Sequence, residues 1–142
     1  MAGQIKVDLE DNANEVLKAL EDATNKALYV MGNNAVKETV LYMSKPDFTG
    51  KDIVDTGRLR ASISFVTPVA ESGPNGLEAS GDDFLKGKAP NNVAYVGSNV
   101  EYATYVNNGT KKQPARNFLQ HGINNSKLES ERQIKLIFEG KL

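Results

Sequence analysis

Asp55-Thr56-Gly57, which follows the apolar pair Ile53-Val54, is the triplet in this chain with the most chemistry in it. Two copies meeting across a dimer would set two carboxylates side by side. Such a pair shares a proton and activates a water for peptide hydrolysis. Tyr95-Val96-Gly97 could pack beneath the catalytic loop. The same triplet has a plainer use, in which Asp55 or Thr56 caps backbone amides in a turn. His121 is the only imidazole, sits beside Gly122, and has no carboxylate four residues away on either side, so it reads as a helix-face histidine. Tyr95, Tyr102 and Tyr105 with Lys111, Lys112 and Arg116 could make an aromatic–basic nucleic-acid patch, but core tyrosines beside a solvated loop are commoner. These residues name no catalytic, cofactor-binding or metal-ligating group.

Composition narrows the field further. The 142 residues match one domain, 1–142, with 39% hydrophobic side chains for a modest core. Seventeen basic against eighteen acidic side chains leave a net charge of −1, which argues against binding nucleic acid by counterion release over the whole surface. Zero cysteines remove disulfides, thiolate metal sites and cysteine nucleophiles, and one histidine removes multi-histidine metal sites. The opening MAGQIKVDLEDNANE is acidic where a secretory signal is basic and then apolar, so a non-exported protein is expected. Asn108-Gly109-Thr110 and Asn124-Asn125-Ser126 therefore match the glycosylation pattern without being expected to carry sugar. Charge is uneven along the chain. Residues 1–22 hold two basic and six acidic side chains, net −4, and residues 111–142 hold seven and three, net +4.

The elements that must position these groups follow from periodicity. Leu9, Ala13, Val16, Leu17, Leu20, Thr24, Ala27, Leu28, Met31, Ala35, Thr39 and Met43 recur at three- and four-residue steps and predict a helix over 9–44. Gly32-Asn33-Asn34 are poor helix formers, so a bend or break is expected there. A straight helix of this length measures about 50 Å, whereas a compact chain of this size is nearer 40 Å across. Either the helix bends or its end projects and needs a partner. Leu59, Ala61, Ile63 and Phe65 alternate with polar residues and predict a strand that fades at Pro68. Residues 70–92, rich in Gly, Pro, Asn and Asp, read as a long flexible insertion or a loose hairpin around Pro74-Asn75-Gly76. Val93–Ser98 is apolar on both faces and suits an interior strand. A short helix is expected over 100–108 with Asn108-Gly109 as its stop, and a last helix from Arg116 to Phe138 with Leu119, Ile123, Ile134 and Ile137 on one face; Gly122 and Asn124-Asn125 interrupt it, and QIKLIF (133–138) could also alternate as a strand. The expected class is α+β: a long amino-terminal helix, a small antiparallel sheet with a long flexible loop, a short helix and a carboxy-terminal helix.

Three segments in order carry a resemblance. They are DTGRLRASI (Asp55–Ile63), VGSNVEYATYVNNGT (Val96–Thr110) and ARNFL (Ala115–Leu119). Together, behind a long first helix, they resemble the tail-completion or head–tail joining proteins of long-tailed bacteriophages, also called minor tail or neck proteins. That family shows D-T-G-x-L-R-x-S-I, then V-G-x-x-x-x-Y-A-x-Y-V-E-x-G-T, then a-R-P-F-L. The matches are Asp55, Thr56, Gly57, Leu59, Arg60, Ser62, Ile63, Val96, Gly97, Tyr102, Ala103, Tyr105, Val106, Gly109, Thr110, Arg116, Phe118 and Leu119. The departures are Asn107 for the usual Glu, Asn117 for the usual Pro, and the insertion at 70–92.

The resemblance implies a non-enzymatic virion protein at the head–tail junction or tail end, working by self-assembly in a ring and by contact with other neck and tail proteins. It implies no cofactor, no membrane and no specific nucleic acid, with residence in the host cytoplasm during assembly. Leu59, Ile63, Tyr102, Phe118 and Leu119 are expected in the core, and Arg60 and Arg116 are expected to pair with a carboxylate such as Glu101 or Asp55. Two other readings stay open: an aspartic-type protease built on Asp55-Thr56-Gly57, although Arg58 stands where such enzymes place a small residue, and a small nucleic-acid-associated regulator.

Overall fold

The structure, a computed structural model, describes residues 2–45 (with side chains from Ala13), 57–72 and 81–142. Asp55, Thr56 and the expected turn at Pro74-Asn75-Gly76 lie outside these residues.

Helix α1 spans Ala2–Met43 without interruption, about 63 Å at 1.5 Å per residue. The helix is not broken at Gly32, because the weak helix formers there serve tertiary contacts. A Cβ on Gly32 would stand 2.3 Å from the Phe65 ring, so only glycine lets that ring lie against the helix backbone. The Asn34 amide donates to Ser130 Oγ (3.1 Å) and Gln133 Oε1 (2.7 Å) on the last helix. Buried packing outweighs a propensity deficit of about 1 kcal/mol for glycine.

The segment expected as a strand from Leu59 divides in two. Helix α2 (Arg58–Ala61) is one turn, followed by strand β1 (Ser64–Val66). Gly57, at φ 83°, turns the chain into α2 by a left-handed conformation, and its carbonyl accepts the Ala61 N–H at 2.9 Å. The Ser62 hydroxyl donates to Leu59 O (2.6 Å) and closes the turn. These local bonds compete with strand pairing and win until Ser64.

Strand β2 (Glu71–Ser72) pairs antiparallel with β1, as does strand β3 (Tyr95–Gly97), in the order β2-β1-β3. The central strand is thus β1, whose three residues are all buried. The interior place expected for Val93–Ser98 is corrected to an edge, and Tyr95 faces outward. Residues 81–92 are stitched to the sheet: Leu85 N–H donates to Ser64 Oγ (2.9 Å), Ala89 N–H to Thr67 O (3.2 Å), and Asn99 N–H to Asp83 O (2.9 Å).

Helix α3 (Ala103–Asn108) stops at Gly109, whose N–H bonds Tyr105 O at 2.9 Å. A tight turn at Thr110–Gln113 leads to helix α4 (Phe118–Phe138), which is helical throughout. Helix α4 runs antiparallel to α1, with Tyr42 beside His121, Thr39 beside Gly122, Asn34 beside Ser130, and Lys26 beside Leu142. Its buried face is Phe118, Gly122, Ser126, Ser130 and Ile137, with the three small residues in a row between the two large ones. Ile123, expected on that face, is 42% exposed. The core gathers Val36, Met43, Leu59, Ile63, Phe65, Val100 and Phe118, with Tyr102 and Leu119 packed against it. The fold is α+β, with α1 packed on a three-stranded antiparallel sheet and paired with α4.

Candidate assembly surfaces

Arg58 organises the surface around the sheet. Its Nε and Nη2 donate to both Asp83 carboxylate oxygens (3.0 and 2.8 Å), and Nη1 and Nη2 donate to Glu101 (3.1 and 3.2 Å). The guanidinium carbon lies 5.7 Å from the centre of the Tyr102 ring. One side chain therefore ties α2 to the 81–83 and 99–102 segments. The planar fork explains why arginine fits here. It is the residue that interrupts the D-T-G-small pattern of a protease, and here it holds the surface together.

Arg58 also takes Glu101, one of the two carboxylates expected for Arg60 or Arg116; the other, Asp55, lies outside the described residues. Arg60 instead donates to Ser44 Oγ (3.2 Å), and Arg116 is buried, with its backbone N–H on Val106 O (3.0 Å). Hydrogen bonding from Arg58 holds the Asp83 carboxyl below its usual range. Glu101 is held low first by its own backbone N–H and then by Arg58. Both folded pKa values lie below the unfolded ones, so this stabilisation is present above the unfolded values and disappears as pH falls through the folded ones. Arg58→Gln is expected to flatten the fall in melting temperature between about pH 5 and pH 3, where free carboxylates titrate. Parallel melting curves of the two proteins across that range would refute the clamp.

Two of the three departures from the phage pattern meet. Asn117, at φ 51°, donates its N–H to Asn107 O (2.9 Å), and Asn107 Oδ1 accepts the Leu119 N–H (3.2 Å) at the start of α4. A proline at 117 has neither that N–H nor that φ. Asn107 and Asn117 thus form a single joint between α3 and α4.

His121 is exposed and stacks on Tyr42 with ring centroids 4.4 Å apart. Tyr105 also faces outward, rather than into the core, while burial of Arg116 withdraws the guanidinium from the aromatic–basic patch. Among the described residues no group of three His, Cys, Asp or Glu could hold a metal, and no helix is long and apolar enough to cross a membrane.

The least satisfied surface is the first half of α1. Helix α4 and the carboxy terminus reach only to Lys26, whose Nζ donates to Leu142 O. Every described residue from Ala13 to Asp22 is exposed. Val16, Leu17 and Leu20 are 61%, 64% and 54% exposed and share one face by their three- and four-residue steps. Helix α1 runs on unbroken past its domain, and this end projects uncovered. No ion pair among the described residues joins this acidic half to the basic carboxy-terminal segment.

A small domain that carries an uncovered amphipathic helix and builds its polar contacts into joints between elements has the anatomy of an assembly subunit. Residues 4–109 match the family described as "Bacteriophage HK97-gp10, putative tail-component", and the chain belongs to that family of phage tail components. Its role is accordingly structural and its place the virion. No curated protein and no solved structure matches the chain.

Proposed function

We propose that the protein is a ring-forming subunit at the phage head–tail junction or tail end, a tail-completion component that acts by self-assembly and by docking other neck and tail proteins. It assembles in the host cytoplasm and works without catalysis. The observation that carries the reading is the projecting half of α1 with its Val16–Leu17–Leu20 stripe, beyond the reach of its own domain. Apolar area contributes about 25 cal/mol per Å² when buried, before association costs. An uncovered stripe of this kind is a surface awaiting a protein partner.

Sedimentation across a range of concentrations, with negative-stain imaging of the concentrated sample, tests this. Concentration-dependent oligomers are expected. The triple variant Val16→Ser, Leu17→Ser, Leu20→Ser should remain monomeric with a melting temperature close to that of the dilute wild type, because these side chains are more than half exposed. Asp55→Asn, taken through the same series, should assemble normally, since asparagine caps as aspartate does. A wild type that stays monomeric at every concentration would sink the ring. Acid-range proteolysis abolished by Asp55→Asn would favour the enzyme instead.

A further inference from the structure

We propose that the projecting half of α1 of one copy seats its Val16–Leu17–Leu20 stripe in a groove between α1, α4 and β3 of the next copy. This rests on the self-assembly reading above and adds to it which surface meets which. The groove has a volume of about 390 Å³ and an apolar floor that includes Met31, Ala35, Val96, Ile123 and Ile134. Met31 and Ile123 are 43% and 42% exposed, so aliphatic side chains stand open along it.

Three observations select a second copy as the occupant. The first is length. On α4, Ile123 to Ile134 is eleven helical steps, about 17 Å, and the stripe with its flanking Ala13 and Thr24 covers the same distance on α1. The second is charge. The described part of the projection carries Glu15, Glu21 and Asp22 against Lys18. Lys127 and Glu131 line the groove, Lys135 lies on the same helix, and Glu129 is engaged by Arg132 at 2.6 Å. Over the whole segments the complement is −4 against +4. The third is continuity. Helix α1 is unbroken from Ala2 to Met43, so the stripe cannot fold back into the groove that Met31 and Ala35 of the same helix line. Only another chain can bring it there.

A stripe that meets a groove is a heterologous contact. Each subunit then offers one free stripe and one free groove, and the contact repeats until a ring closes. Opposite charge steers the encounter, and the apolar seat supplies the affinity.

The absence of cysteine makes the test clean, because a chain given one cysteine can form only intermolecular disulfides. Leu20→Cys is mixed in turn with Lys127→Cys and with Glu131→Cys, groove-lining positions that face Leu20 when the two matched spans lie antiparallel or parallel, so that either helix direction is covered. The mixtures are oxidised at concentrations where wild type assembles. A disulfide requires Cα atoms within about 7 Å. The expected result is a mixed disulfide with one of the two groove variants, in several-fold excess over Leu20→Cys linked to itself, and suppressed by excess wild type. Predominant Leu20→Cys self-linkage would mean that stripes pair with stripes and would overturn the proposal. So would the lack of either mixed product while sedimentation shows intact oligomers, with the ring reading left standing. Monomers throughout would remove the ring and this contact together.

Discussion

Phe65→Ala is expected to destabilise the dilute monomer by about 3–5 kcal/mol, the usual loss for a fully buried phenylalanine. Phe65 has no exposed surface, lies on the backbone at Gly32, and meets the Tyr29 ring edge-on at 5.2 Å between centroids. It is also the middle residue of the central strand, opposite Ser72 on one side and Val96 on the other. Its side chain is therefore the contact through which the sheet is held to α1. Neighbours cannot collapse into the vacancy, because Gly32 has no side chain to move and the flanking strands are fixed by their pairing. A domain with a stability of about 5–15 kcal/mol would lose about a fifth of it or more. Urea denaturation at low protein concentration measures the effect. A loss under about 1 kcal/mol would show that the sheet does not pack on α1 through this ring.

Gly122→Ala is expected to destabilise by about 2 kcal/mol, against the direction that helix propensity dictates. Alanine is favoured over glycine within a helix by about 1 kcal/mol, and at an exposed site that gain would be realised. At Gly122 the new Cβ would stand 1.9 Å from Thr39 Oγ1 and 2.7 Å from Thr39 Cα. Thr39 is fully buried and its hydroxyl donates to Ala35 O at 2.7 Å, so the backbone contact cannot be relieved by rotating one side chain. The helices must move apart, and overpacking of that kind opposes stability by about 1–3 kcal/mol, sometimes more. Separation would also loosen Ser126 and Ser130, which share the same buried row. Asn124→Ala, on the exposed side of α4, is the control and should be neutral or slightly stabilising. A stabilised Gly122→Ala would mean that α1 and α4 do not touch at this point.

What the sequence by itself determined is what depends on neighbours close in the chain. The long first helix is legible because its apolar residues keep a 3.6-residue period over ten turns. The stop at Gly109 is legible because a glycine after Asn108 ends a helix by local geometry. The α+β class, the flanking helices and the phage family follow from segments read in sequence. The mismatch between a long helix and a small domain also posed the question of projection in advance, from length alone.

Tertiary structure decided where distant segments approach. Gly32 and Gly122 read as interruptions because a local rule sees only the propensity they lack; each turns out to be the point where another segment comes closest, which no local pattern encodes. Leu59 to Phe65 alternates like a strand, yet Gly57 and Ser62 close a helical turn over half of it. Arg58 looked like a spoiled motif until the fold brought Asp83 and Glu101, 25 and 43 residues away, to its two sides. Asn107 and Asn117 looked like two separate departures until the turn between them placed each on the other. The projection of α1 was decided in the same way. Burial of Phe65 against Gly32 and the bonds of Asn34 to α4 keep the helix unbroken through its weakest stretch, so its first half leaves the domain with an apolar face uncovered.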